Sequence, residues 1–128
     1  MSSQTTGMEL PTQPTSVLLV EDNPVIAMNT EALLQDLGIP DIQIATTVAE
    51  ALALVEAEKF EFAILDLRLG DAEDSLPIAA KLVERGISFA FATGFGESFD
   101  LAQSHGAVAV LKKPYRFEDL ERIVQGRQ

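Results

Sequence analysis

Phe62-Ala63-Ile64-Leu65-Asp66-Leu67-Arg68 contains four apolar residues in a row closed by an acid. Such a run reads as a strand covered on both faces, and its last residue is expected to emerge from the sheet, because an unpaired carboxylate in an apolar core is too costly. A second run of the same kind, Val17-Leu18-Leu19-Val20, ends in Glu21-Asp22. Two buried strands thus deliver Glu21, Asp22 and Asp66 to one rim. Like charges this close repel and raise one another's pKa, unless a divalent cation that favours oxygen ligands sits among them.

On either side of these strands, helical and extended patterns alternate. Asn23-Pro24 reads as a helix cap followed by a first-turn proline, and Ile26, Leu33, Leu34 and Leu37 share a face that runs to Gly38. Asp41-Ile42-Gln43-Ile44 alternates polar and apolar, as a strand at a sheet edge does. Thr47 and Glu50 have the spacing of a capping box, and Val48, Ala51, Leu52 and Val55 then trace a second amphipathic helix ending near Lys59. The polar stretch from Gly70 to Ser75 reads as a loop, and Pro77 near a helix start leads into Ile78, Ala79, Leu82 and Val83, a third helix that ends at Gly86. A strand from Ile87 to Ala92 runs into Thr93-Gly94, and a helix is expected over Glu97 to Ser104, stopped by Gly106. Ala107 to Leu111 is the fifth strand, leading into Lys112-Lys113-Pro114. Phe117, Leu120, Ile123 and Val124 mark a last helix.

Five such alternations imply an α/β fold, a doubly wound parallel sheet with right-handed crossovers. The half-polar second strand belongs at an edge, which leaves the first and third adjacent and matches the flavodoxin-like (βα)5 order 2-1-3-4-5. In that order the ligand crevice lies at the carboxyl ends of strands one and three. Glu21, Asp22 and Asp66 stand at those ends, and Thr93 and Lys113 close strands four and five at the same rim.

The 128 residues allow one domain, expected over 16–128, preceded by a Ser/Thr/Gln/Pro-rich stretch, 1–15, expected to be a disordered tail. Acidic residues outnumber basic ones 20 to 9, and the formal charge of -11 argues against binding nucleic acid or anionic lipid. No cysteine is present, which excludes thiol chemistry and fits a reducing compartment. With no long apolar run and no signal-peptide pattern, a cytoplasmic protein is the expectation.

Four stretches together resemble the response-regulator receiver domain of two-component signalling: Val17 to Asn23, Ile64-Leu65-Asp66-Leu67, Ala92-Thr93-Gly94 and Lys112-Lys113-Pro114. The resemblance spans roughly residues 16 to 126. Phe91-Ala92-Thr93-Gly94 with Pro114-Tyr115 further resembles a subgroup of stand-alone receivers with an FATG-type motif. The resemblance implies that Asp66 accepts a phosphoryl group from a sensor histidine kinase or phosphotransfer protein. It implies Mg²⁺ held by Glu21, Asp22, Asp66 and the backbone carbonyl of Arg68, with Lys113 and Thr93 gripping the phosphate and a cis peptide at Lys113-Pro114. It also implies no enzyme in the ordinary sense, but a domain that catalyses only its own phosphorylation and dephosphorylation. Two departures stand out. Val110 occupies a position where the family often has an aromatic switch residue, so Tyr115, Phe95 or the loop after Thr93 would have to carry the response, and Arg68 stands two residues after the acceptor, where it could reach over the site.

Taken singly, these residues have ordinary explanations: Asp22 a helix cap, Glu21 a solvated acid, Thr93 a strand end, Lys113 a surface lysine. Their shared rim is what promotes them. His105 reads as structural at a helix end. Phe89 and Phe91, two apart on a strand, read as core. Only 13 residues follow Tyr115, so output is expected through contacts with a downstream protein, by a monomer or weak dimer. The alternatives are a phosphorylation-independent adaptor, a flavin carrier or an aspartate phosphatase. No phosphate-cradling loop follows the first strand, which speaks against flavin. The phosphatase would need a second acid where Arg68 stands.

Overall fold

The computed structural model describes residues 13–70, 73–94 and 106–125. Its elements are β1 (Ser16–Val20), α1 (Pro24–Asp36), β2 (Asp41–Ala45), α2 (Val48–Ala57), β3 (Phe62–Asp66), β4 (Arg68–Leu69), β5 (Glu73–Asp74), α3 (Leu76–Arg85), β6 (Ser88–Thr93), β7 (Ala109–Lys112) and α4 (Phe117–Val124). The main sheet is five-stranded and parallel, ordered β2-β1-β3-β6-β7. This is the expected flavodoxin-like order, with two short extra strands between β3 and α3.

Side chains on successive strand residues point to opposite faces, and the core divides accordingly. Leu18, Val20, Ala63, Leu65, Phe89 and Phe91 pack with α2 and α3. Val17, Leu19, Phe62, Ile64, Ala90 and Ala92 pack with α1 and α4. Burying each large apolar side chain contributes roughly 1.5–3 kcal/mol. The Phe89 and Phe91 rings meet edge to face at 5.5 Å, as core residues do.

Several local readings change. Thr47 Oγ1 accepts from the Glu50 N–H at 3.1 Å, but Glu50 reaches back past Thr47 to accept from the Thr46 N–H at 2.8 Å. The reciprocal half of the box therefore falls one residue earlier, on the first donor that β2 leaves free. The stretch read as a loop from Gly70 to Ser75 contains β5, which pairs with β4 just before it in a short hairpin, Arg68 opposite Asp74 and Leu69 opposite Glu73. Ile78, Ala79 and Leu82 carry the buried face of α3, while Val83 is 56% exposed.

Other boundaries hold. Asn23 Oδ1 caps α1 by accepting from the Val25 and Ile26 N–H groups, and Gly86 ends α3 at φ 72°, a conformation glycine adopts without cost. The Lys113-Pro114 peptide is cis. Of the residues read as a tail, 13–15 are described: the Gln13 amide donates to the Leu37 carbonyl at 2.7 Å, and the Thr15 N–H to Glu61 at 2.7 Å. The helix expected over Glu97 to Ser104, with Phe95 and His105, lies outside the described residues.

Candidate functional site

The strand alternation that builds the core also builds the site. Asp66 continues the Phe62, Ile64 series, Glu21 continues Val17, Leu19, and Lys113 follows Leu111 by two. All three extend the face that packs on α1 and α4. The Glu21 N–H donates to the Ala45 carbonyl at 3.0 Å and the Lys113 N–H to the Thr93 carbonyl at 2.8 Å, so the ladder carries both one step past the strand ends. Three different strands therefore aim three charged side chains at one point.

Lys113 Nζ lies 3.0 Å from Glu21 Oε1 and 3.0 Å from Asp66 Oδ2. Asp66, expected to emerge from the sheet, is instead 5% exposed. The core tolerates it because Lys113 pairs with it inside. Glu21, whose ordinary reading was a solvated acid, is 2% exposed, and it is Asp22 that faces solvent. The second Glu21 oxygen accepts from the Asn23 N–H at 3.1 Å, which fixes the carboxylate.

One lysine does not balance this group. One oxygen from each of Glu21, Asp22 and Asp66 lies within 4.8 Å of the other two, three acids against a single cation among the described residues. Burial pushes the Asp66 carboxyl up to about 7, with the Glu21 charge adding to the rise and Lys113 opposing it. Burial alone would lower the Lys113 ammonium, but its hydrogen bond to Glu21 and the Asp66 charge outweigh that and raise it. The donor set is all oxygen and, once Asp66 is ionised, carries two negative charges more than Lys113 balances among the described residues, which suits a hard divalent cation. Gly70, at φ 74°, brings the hairpin turn beside this group: a Cβ there would stand 3.9 Å from Asp22 Oδ2.

The backbone around Asp66 is held on both sides. The Leu67 N–H donates to the Ala92 carbonyl at 2.9 Å and the Ser75 N–H to the Leu67 carbonyl at 3.0 Å, while the Ser75 hydroxyl donates to the Asp66 carbonyl. Ser75 heads α3, yet its hydroxyl is committed inward, and Asp74 Oδ1 accepts the Leu76 N–H at 3.0 Å instead. Nothing in the residue pattern marked Ser75, since a serine before a helix reads as a cap.

Thr93 is buried one residue past Ala92, the register partner of Asp66. It has the alternation of Phe89 and Phe91, and among the described residues no hydrogen bond joins its hydroxyl to Asp66 or Lys113. Arg68 is exposed at the start of the hairpin. Val110 is half-buried opposite Phe91, against the α2 and α3 side of the core. Tyr115 Oη lies 2.7 Å from Thr30 Oγ1 on α1, a pairing no spacing rule announced.

A doubly wound sheet with an acid cluster at the carboxyl ends of two central strands, β1 and β3, and a half-buried lysine just past the edge strand β7 defines the class of CheY-like signalling domains. A family model, the response regulator receiver domain, matches residues 17–125, and the chain belongs to that family. Among curated proteins it is 29% identical over 112 residues to the phyllosphere-induced regulator PhyR of Methylorubrum extorquens, covering 86% of this chain and 42% of PhyR. The chain spans about half the length or less of the curated relatives it matches. Among solved structures it resembles SdrG from Sphingomonas melonis Fr1, with TM-score 0.73 and 35% identity, covering 88% of this chain and 94% of SdrG. It also resembles the receiver domain of the sensor histidine kinase PA1611 from Pseudomonas aeruginosa PAO1, with TM-score 0.77 and 26% identity, covering 87% and 94% of the two chains. That structure holds a magnesium ion coordinated in its active-site cleft.

Proposed function

We propose that Asp66 is a phosphoacceptor, charged by a phosphohistidine on a sensor histidine kinase or phosphotransfer protein. The observation that carries this reading is the Lys113 ammonium held 3.0 Å from both Glu21 and Asp66, in a cluster where, among the described residues, three carboxyl groups meet one ammonium. In the step itself an Asp66 carboxylate oxygen forms a bond to phosphorus as the phosphorus–nitrogen bond breaks. The electron pair leaves on the imidazole nitrogen, which ends neutral after taking up a proton where charge requires it. Water later attacks phosphorus, releasing inorganic phosphate and restoring the carboxylate. Positioning and charge neutralisation dominate such transfers.

Mg²⁺, when bound, supplies positive charge for the phosphoryl oxygens and screens the three acids from one another. Glu21, Asp22, Asp66 and the Arg68 carbonyl would hold it. Lys113 moves its ammonium from the Glu21–Asp66 pair to a phosphoryl oxygen, and Thr93 donates its hydroxyl to another, drawing the end of β6 toward the site. With Val110 in place of an aromatic residue, the response leaves through the segment after Thr93 or through Tyr115. Protein contacts then relay the signal to a downstream target or drain the phosphoryl group. Absence of cysteine fits action in the cytoplasm.

The test is incubation with Mg²⁺ and a small acyl phosphate, followed by intact mass and mapping. One labile phosphoryl group on Asp66, lost without metal, is expected. An unmodified chain, or an adduct elsewhere, refutes the reading.

A further inference from the structure

We propose that the Thr30–Tyr115 hydrogen bond is a latch that positions Lys113, which makes Thr30 and Tyr115 positioning residues for the transfer proposed above; the kinetic part of this inference rests on that reading. The two oxygens lie 2.7 Å apart across 85 residues of chain. Thr30 is 1% exposed within α1, and Tyr115 stands two residues after Lys113. A threonine inside a helix commonly turns its hydroxyl back to its own helix; here it meets the phenol of another element.

The latch closes a circuit. Glu21 accepts from Lys113 through one oxygen and from the Asn23 N–H through the other, and the Asn23 side chain caps α1. From there α1 leads to Thr30, Thr30 to Tyr115, and Tyr115 back along the chain to Lys113. Helix α1 is thus fastened to the site at its cap and again two turns further on. Of residues 114–116, Tyr115 alone has a side-chain hydrogen bond to another element among the described residues. β7 ends at Lys112, so beyond the Lys113 N–H the sheet no longer holds this turn.

Packing against the α1 and α4 side of the core holds only part of the ring. A cavity of about 270 Å³ adjoins the phenol, between α1 and the turn after β7, lined by Ile26, Asn29 and Leu33 on one side and Lys113 and Pro114 on the other. The ring has room to shift, and the hydrogen bond sets where it stands. Burial raises the phenol's pKa, so it remains protonated at neutral pH and can donate.

Three variants of the full chain test this: Tyr115→Phe and Thr30→Val, each removing one hydroxyl, and Thr30→Ser, which keeps it. With Mg²⁺ and a small acyl phosphate, each removal slows formation of the Asp66 adduct by about two- to tenfold, the range of one hydrogen bond. The double variant loses no more than either single one, and Thr30→Ser stays near wild type. In a Lys113→Ala background, Tyr115→Phe changes nothing further. Wild-type rates in either folded single variant, additive losses, or a loss that persists without Lys113 overturn the latch. Absence of any wild-type adduct refutes the phosphoacceptor reading instead. The latch is then decided by the NMR resonances of the Lys113 ε-methylene group: a shift toward those of free lysine in Tyr115→Phe supports it, and unmoved resonances overturn it.

Discussion

Two groups of charges have nearly the same distances and opposite consequences. On the outer surface of α2 and α3, Arg85 and Lys81 meet Glu56 at 2.8 and 3.4 Å, and Lys81 also meets Glu84 at 3.4 Å. At the carboxyl rim, Lys113 meets Glu21 and Asp66 at 3.0 Å. The surface group is solvated, two cations answer two acids, and the Arg85 guanidinium simply holds the Glu56 carboxyl below its usual range. Water screens such pairs, and they contribute little. At the rim Glu21 and Asp66 are buried side by side, so Asp66 rises to about 7. What separates the two groups is burial and charge balance, not spacing.

The sharpest way to break this contrast is Asp66→Ala, which should abolish the acyl phosphate adduct by intact mass while leaving the fold intact by circular dichroism. Next is Lys113→Ala. Removing the buried cation is expected to slow adduct formation about 100-fold, in line with loss of one preorganised electrostatic partner, whereas Lys81→Ala at the surface changes it by less than about twofold.

Asp22→Ala comes third. Loss of one of three carboxylates should weaken Mg²⁺ binding about tenfold or more by calorimetry. The pH dependence of stability follows. In metal-free protein Asp66 keeps, up to about pH 7, a proton that the unfolded chain gives up near its ordinary value of 3.8. Its contribution is therefore fully present below pH 4 and is lost as pH rises through 7. Asp66→Asn should remove that slope and stabilise the metal-free chain at pH 8 by on the order of 2 kcal/mol in urea unfolding, with no gain at pH 4. The smallest effect belongs to Glu56→Gln: a slight drop in the thermal midpoint that disappears in about 1 M salt.

Much of this was legible in the linear order of residues. Val17–Val20 and Phe62–Leu65 are continuous apolar runs because both faces of a central parallel strand are covered, and the polar alternation of Asp41–Ile44 marks an edge because one side is wetter. The rim acids follow directly, since each run ends in one. Exposure did not follow. Glu21 and Asp22 are adjacent acids, and which of them is buried depends on the approach of Lys113, 92 residues away for Glu21. Nor did spacing alone separate Val83, which is exposed, from its neighbour Leu82, which is buried.

The chain's own pattern determined the doubly wound sheet, its strand order and the gathering of Glu21, Asp22, Asp66, Thr93 and Lys113 at one end, because hydrophobic periodicity and strand alternation act over a few residues at a time. Only the tertiary structure decided that Asp66 and Glu21 are buried around one ammonium, that Ser75 turns its hydroxyl to the Asp66 carbonyl, and that Thr30 meets Tyr115. Those outcomes depend on contacts between segments far apart in sequence, where local propensity carries no information, and on the dielectric that packing alone creates.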